Sequence, residues 1–465
     1  MVIVAIMDCI FLALERFDYY SIVLRSKLLP LLAQKYKVVV LTPDIDAKTS
    51  REWDYYRREN VVYEKRAVQY PTLWNRSDRL RRYCVRNYDN LFTTHEHFYL
   101  FPHTRLERLY VLLGKLCPPQ IINPWFFSWV EKRFARPSPE FSALVKNYRP
   151  RLMLVATPGY RNLPFTAEHI LFAHALKIPT VSIYSSYDNP YSMAKFLRPT
   201  DYIFVWNQKM KREVIELHGY LPERVCVVGC LKFDHYFQDV TEKKIQSREE
   251  FLRSKNLNPS RKTIVYATTI SRFKQNRPLM EMMVRFKKEG HFEGDPNILV
   301  RIHPHDPIEP YLPFCNIPGI HIEQAGVQRL PDASLAGLKV EMREEDLLNQ
   351  TETFKYANVL INHNSTTTME AAVFDVPVVS LGFPERFRLV YKIEIAAEIL
   401  ASGAERNVQS EQALIETVNE YLRSPEKDRT NRTQLVHEYI EFRDGLSYQR
   451  TARAIEDVLL KERTT

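Results

Sequence analysis

The chain has 465 residues, of which 45% are hydrophobic and 26% charged, with a formal net charge of +9. That length exceeds one compact core and predicts two to three domains, and the balanced composition excludes a fibrous or disordered chain. No run of about 18 apolar residues occurs, so no membrane-spanning helix is expected. Six cysteines (Cys9, Cys84, Cys117, Cys226, Cys230, Cys315) are scattered without C-x-x-C spacing. They fit buried thiols in a reducing cytoplasm better than a disulfide framework or a zinc site.

The apolar start "MVIVAIMDCIFLAL" lacks a basic leader and carries Asp8. It is read as a first strand over 2–7 with its loop, not as a signal peptide. "SIVLRSKLLPLLAQKY" has helical apolar spacing, and "KVVVLT" (37–42) is the next strand, so the chain opens with a βαβ unit. Residues 51–140 hold 16 Lys+Arg against 10 Asp+Glu and are rich in Arg, Tyr, Phe and Trp. Strand signals are weak there, and the segment is read as a mostly helical insertion. Its charge favours an anionic partner (a nucleotide, a phospholipid surface, an anionic glycan or a nucleic acid), or else a solvated basic face.

Strands then follow at 151–157, 179–184, 202–206 and 224–229. The charged stretch 241–262 has no strand signal, ends in Asn-Pro-Ser, and is read as a linker with an entry helix. A second strand series occupies 263–268, 297–303, 319–324, 357–362 and 377–382. Two βα series predict an α/β protein of two Rossmann-like doubly wound domains facing a cleft. The expected boundaries are 1–240, 241–447 and a terminal helix over 448–465. Neither G-x-G-x-x-G nor G-x-x-x-x-G-K-[ST] is present, which removes the main support for a dinucleotide or P-loop site.

In such sheets ligands bind outside the carboxyl ends of the strands. In "TTISRFKQNR" (268–277), Thr269 and Ser271 offer hydroxyls and Arg272 and Lys274 offer charge for a diphosphate. "VRIHPHD" (300–306) ends a strand in two histidines and an aspartate. Such a group can ligate a metal, move a proton, or form a polar turn. Pro304 restrains the backbone and no further Cys/His cluster accompanies it, so no metal is assigned. His303 at the strand end is suited to a phosphate or a leaving group, because imidazole titrates near working pH. Arg301 is counted with it.

The segment "ANVLINHNSTTTMEAAVFDVPVVSLGF" (357–383) passes from a strand through a polar loop into a helix. Ser365, Thr366 and Thr367, with Asn364 before them, lie where a helix start favours anions, or else cap that helix. Glu370, one turn in, is placed to accept from ribose hydroxyls. Arg386 and Arg388 close the unit. In the first domain Asp188 is a candidate general base or a turn residue, with Asp8, Glu15 and Asp18 as rivals.

The succession of "RIHPH", "ANVLINHNSTTTMEAA" and "VPVVSLGF" resembles the second domain of two-Rossmann, or GT-B, glycosyltransferases. The His-Pro pair followed by a Ser/Thr loop is most similar to the CDP-glycerol glycerophosphotransferase family. Bacterial polysialyltransferases and capsule Kdo transferases share a similar pairing. In the first domain, "SSYDNPYSMAKF" and the segment from "DYIFVWN" to "LKFDHY" look like that group too. The resemblance spans roughly residues 150–385, while 51–140 matches no family.

The resemblance implies that His303 contacts the donor phosphate or assists its departure. It implies that Ser365, Thr366 and Thr367 bind phosphate, and that Glu370 binds ribose or the transferred group. The acid-acid-Gly motif of polysialyltransferases is not evident, which leaves the base among the carboxylates named above. The implied activity is metal-independent transfer from a CDP-, CMP- or UDP-linked donor, without a resident cofactor. The acceptor would be a cell-surface polysaccharide or a lipid-linked glycan, in the cytoplasm or at the inner face of its membrane. Alternatives are a nucleotide-sugar 2-epimerase of the same architecture and a non-catalytic polyanion binder; nucleic acid is not the expected partner.

Overall fold

The computed structural model describes residues 7–15, 22–43, 58–69, 71–81, 104–116, 124–156, 164–188, 190, 196, 198–269, 276–304, 306–324, 326–328, 340–342, 344–363, 365–383 and 390–464. Contacts divide the chain into two compact units, Met1–Asp234 with Leu446–Thr465, and His235–Gly445.

The first unit runs β1 (Cys9–Ala13), α1 (Leu28–Ala33), β2 (Lys37–Thr42), β3 (Val61–Lys65), α2 (Thr72–Arg81), α3 (Arg105–Leu116), α4 (Pro124–Phe134), α5 (Pro139–Tyr148), β4 (Pro150–Ala156), α6 (Pro164–Ala175), β5 (Thr180–Ile183), β6 (Tyr202–Val205), α7 (Gln208–His218) and β7 (Val225–Val227). The strands form one parallel sheet in the order β3-β2-β1-β4-β5-β6-β7. The central strands are apolar on both faces because helices cover both sides, so "CIFLA" and "LMLVA" are continuous runs without alternation. Phe141 of α5 packs edge-on against Phe11 of β1, with ring centres 6.3 Å apart. Ser138 caps α5 by accepting from the Phe141 N–H, and Asn207 caps α7 by accepting from the Met210 N–H.

Two expectations shift. The first described strand is Cys9–Ala13, whereas most of 2–7 lies outside the described residues. Asp8 therefore precedes the strand, at its amino end, where it pairs with Arg151 and Arg463. The basic segment, read as mostly helical, also contains β3. This is an edge strand whose side chains are half-buried or, at Lys65, exposed, and it pairs in parallel with β2. An edge strand needs no continuous apolar run, which is why its signal was weak.

The second unit runs α8 (Asp234–Thr241), whose first residue belongs to the first unit, then α9 (Arg248–Ser254), β8 (Thr263–Ala267), α10 (Asn276–Lys288), β9 (Asn297–Ile302) and β10 (Ile320–Gln324). A short antiparallel pair follows, β11 (Val327–Gln328) with β12 (Val340–Glu341). After it come α11 (Glu344–Tyr356), β13 (Val359–Asn362), α12 (Thr367–Val373), β14 (Val378–Leu381), α13 (Glu394–Ala401), β15 (Glu405–Val408), α14 (Glu411–Arg423) and α15 (Arg429–Tyr439). Its sheet is parallel throughout, in the order β10-β9-β8-β13-β14-β15. Ile298, Val300 and Ile302 of β9 join Met280, Met283 and Phe286 of α10 and Leu414 of α14 in one core. The alternate residues Arg301 and His303 consequently face the other way. The terminal helix α16 (Ser447–Thr464) groups with the first unit, where Glu456 pairs with Lys35 at 2.6 Å and Glu462 accepts from Tyr202 at 2.9 Å.

Candidate functional site

The second sheet reverses its strand order at β8, with β9 and β10 on one side and β13, β14 and β15 on the other. The carboxyl ends around such a reversal leave a crevice, because successive connections depart to opposite faces. Thr268 and Thr269 follow β8, His303 follows β9, and His363, Ser365 and Thr366 follow β13.

The β8 and β9 ends are locked together. The Thr268 N–H donates to the Arg301 carbonyl at 3.0 Å, and the His303 N–H donates to the Thr268 hydroxyl at 2.9 Å. The Asp306 N–H then returns to the His303 carbonyl at 2.8 Å, which makes a turn around Pro304. Asp306 is buried and accepts from Asn276 at 2.8 Å, and the same Asn276 amide donates to the Thr269 carbonyl at 2.5 Å. Asn276 at the start of α10 thus sets both loops, and Asp306 is framework. His303 and Thr269 are left half-buried at the rim. Ser271, Arg272, Lys274 and His305 lie outside the described residues.

At the end of β13, buried Asn362 donates to the hydroxyls of Thr367 at 3.0 Å and Thr368 at 2.9 Å. Thr368 in turn donates to Glu405 of β15 at 2.8 Å. This chain fixes where α12 begins. Ser365, Thr366 and Thr367 are half-buried and flank that start, with Asn364 outside the described residues. The backbone corrects one part of the expectation. The Thr367 N–H donates to the Ser365 hydroxyl at 3.4 Å, while the Thr368, Met369 and Glu370 N–H groups donate to the Ser365 and Thr366 carbonyls. The N–H groups of Thr367 to Glu370 are therefore engaged inside the loop.

Glu370 is only 1% exposed and accepts from Gln350 of α11 at 2.6 Å. It lies one turn along α12 from Thr366 and Thr367, on the same side of the helix, where burial and Gln350 hold it. Arg301, expected at the donor, is buried in an ion pair with Glu323 at 2.8 Å. Glu323 also takes Lys255 at 2.7 Å and Asn349 at 2.8 Å. Against the cost of burial, its His321, Arg301 and Lys255 partners hold the Glu323 carboxyl well below the usual range. Arg301 thus completes a buried charge cluster rather than presenting charge at the rim.

Asp188 belongs to the first unit, after β5, where it accepts from Ser186 at 2.5 Å in a half-buried turn. Glu15, at the end of β1, accepts from the Thr166 N–H in α6 at 2.9 Å. Asp18, Arg386 and Arg388 lie outside the described residues.

Sequence reasoning missed His363, Asn276 and Glu405. His363 is buried beside Tyr266 of β8 at 3.5 Å, and burial pushes its imidazole down to about 3, so it stays neutral. Its position in "NHNS", one residue past a strand, was the available signal. Glu405 sits on the short strand "ERNV", which has no apolar run to reveal it. Among the described residues no group of three or more His, Cys, Asp or Glu is placed to hold a metal ion, and no helix is long and apolar enough to cross a membrane.

No family model matches the chain, and no curated protein matches it either. Solved structures do. UDP-GlcNAc 2-epimerase from Neisseria meningitidis bound to UDP-GlcNAc has a TM-score of 0.53 at 12% identity, covering 97% of this chain and 100% of that one. The S. aureus MnaA–UDP structure has a TM-score of 0.51 at 12% identity, covering 97% of each chain. A variant of the wall teichoic acid polymerase TagF has a TM-score of 0.50 at 9% identity, covering 98% of this chain and 90% of that one. With its two parallel sheets, one of seven strands and one of six, this chain has the two-Rossmann, GT-B-type fold.

Proposed function

We propose that the protein is a group-transfer enzyme that takes a glycosyl or glycerophosphoryl group from a nucleotide-activated donor. The acceptor in this reading is a cell-surface polysaccharide or a lipid-linked glycan. One observation carries it. Half-buried His303 and the half-buried hydroxyls of Ser365, Thr366 and Thr367 stand on locked frames at the carboxyl ends beside the strand-order reversal. Hydroxyls and an imidazole suit a leaving phosphate, since they can share its developing negative charge without being reorganised. His303 is assigned the leaving phosphate and Ser365 to Thr367 its oxygens. Glu370, oriented by Gln350, is assigned the ribose. Asp188 of the first unit is assigned the acceptor proton. Thr269, with Ser271, Arg272 and Lys274 beyond it, would complete the phosphate contacts.

Isothermal titration of the full chain with UDP, CDP, CMP and GDP tests the site and names the base. His303→Ala and Ser365→Ala should each weaken the preferred nucleotide by about tenfold, the scale of one or two charge-assisted hydrogen bonds. Nucleotide affinity unaffected by either change would remove the assignment. A second reading is favoured by the fold shared with UDP-GlcNAc 2-epimerases along almost the full length of both chains. Incubation with UDP-N-acetylhexosamine and no acceptor separates the two: epimerised sugar nucleotide supports the epimerase, and donor left intact until acceptor is added supports the transferase.

A further inference from the structure

The sequence of α3, "RLERLYVLLGKL", spaces Leu106, Leu109, Leu113 and Leu116 at i, i+3, i+7 and i+10, with Leu112 beside them. These leucines share one face. A globular helix turns such a face to the core, but here the five are 51, 48, 42, 71 and 55% exposed. Single surface leucines are ordinary, whereas a continuous stripe marks an interaction surface. In the neighbouring helices Leu73, Trp129 and Phe134 are also more than half exposed.

Charge selects the occupant. Helix α3 carries Arg105, Arg108 and Lys115 against the one acid Glu107, and Arg105 and Arg108 are exposed. Arg133 and Arg136 are exposed around Trp129 and Phe134, with the Arg133 guanidinium 5.7 Å from the Phe134 ring centre, while Lys132 pairs with Asp201 at 3.5 Å. The nearby acid Glu131 does not offset them, being buried and paired with His174 and Arg198. The whole 51–140 segment carries 16 basic against 10 acidic residues. A second copy of the chain would bring like charges together, and a neutral apolar partner would leave the arginines without counter-charge.

We propose that α3 lies flat in the interface of an anionic lipid membrane, with its leucines at the acyl boundary and Arg105 and Arg108 on lipid phosphates. An amphipathic helix with a basic polar flank binds this way through apolar burial plus attraction to the charged leaflet. The proposal stands apart from the nucleotide reading, because its residues lie on a different unit from His303 and Ser365.

Vesicle flotation of the full chain tests it, with nucleotide titration run in parallel. Phosphatidylcholine–phosphatidylglycerol vesicles should bind the protein at least about tenfold more strongly than phosphatidylcholine alone, with binding weakening as salt is raised. Leu109→Glu with Leu113→Glu should abolish flotation while nucleotide affinity and circular dichroism persist. Arg105→Glu with Arg108→Glu, which alters only exposed side chains, should remove the preference for anionic vesicles and decides the matter if the leucine variant does not fold. Equal binding of the wild type to both vesicles, or full flotation of the folded charge-reversal variant, overturns the proposal. So does a wild-type dimer in light scattering that the leucine variant dissociates, which would assign the stripe to a second copy.

Discussion

Thr368 donates its hydroxyl to the Glu405 carboxylate at 2.8 Å while accepting from Asn362 at 2.9 Å. These three buried residues tie the ends of β13, α12 and β15 into one polar chain beneath the hydroxyl loop. Burial is the main cause that pushes the Glu405 carboxyl from 4.5 up to about 7, against the Thr368 and Ser380 hydrogen bonds that favour its charged form. Stability from this group is therefore fully present below about 4.5, where folded and unfolded chains are both protonated. It is lost as pH rises to about 7, because the unfolded chain ionises first. The loss is on the order of 3 kcal/mol. Glu405→Gln keeps an acceptor for Thr368 and removes the ionisation. It should match the wild type near pH 4.5 and exceed its stability at pH 8 by up to about 3 kcal/mol. Urea melts at the two pH values check this, and a parallel pH dependence in the two proteins would refute it.

His174 shows the opposite charge type in the first unit. It is fully buried, which alone would lower its pKa, yet Asp201 and Glu131 overcome this and raise it to about 9. Its stabilisation is fully present below 6.5 and is lost as pH rises through about 9. His174→Gln should cost about 3 kcal/mol at pH 6 and flatten the alkaline limb of the stability curve. Thermal melts across pH 6 to 10 would show it, and a variant that keeps the wild-type alkaline limb would exclude His174 as its cause.

Arg301 should behave as framework. Arg301→Ala leaves Glu323 buried with one cation fewer, a loss on the order of 3–5 kcal/mol. Nucleotide affinity of the folded fraction should stay near wild type. Denaturant melts and calorimetry on the same samples settle it, since a large affinity loss with unchanged stability would return Arg301 to the ligand.

His303 should behave conversely. The His303 N–H and carbonyl hold the turn against Thr268 and Asp306, and His303→Ala keeps both of these backbone bonds. The expected outcome is an unchanged melting midpoint with turnover reduced by about 10² to 10⁴, the scale of a lost general acid. Thr268→Val, which removes the buried acceptor of the His303 N–H, should instead cost about 1–3 kcal/mol of stability. If His303→Ala unfolded the protein and left turnover per folded molecule unchanged, the assignment would be reversed.

The amino-acid sequence by itself determined the α/β class and most of the strands. A strand covered on both faces must be apolar at every position, and "KVVVLT", "LMLVA", "IVYA" and "VLIN" stand out in any reading of the chain. It also placed His303 and Ser365 to Thr367 at strand ends, since a proline and a polar loop punctuate those runs. What only the tertiary structure decided concerns side chains whose partners lie far along the chain. Arg301 meets Glu323 across two strands, Asp306 meets Asn276 thirty residues away, and Thr368 meets Glu405 thirty-seven residues away. A local sequence shows charge and hydrogen-bonding capacity but not who satisfies them, because burial and pairing are set by non-local contacts. The edge strands β3 and β15 stayed hidden for a related reason. At the sheet edges, with several half-buried positions, they need no apolar run, and only their neighbours in the sheet define them as strands.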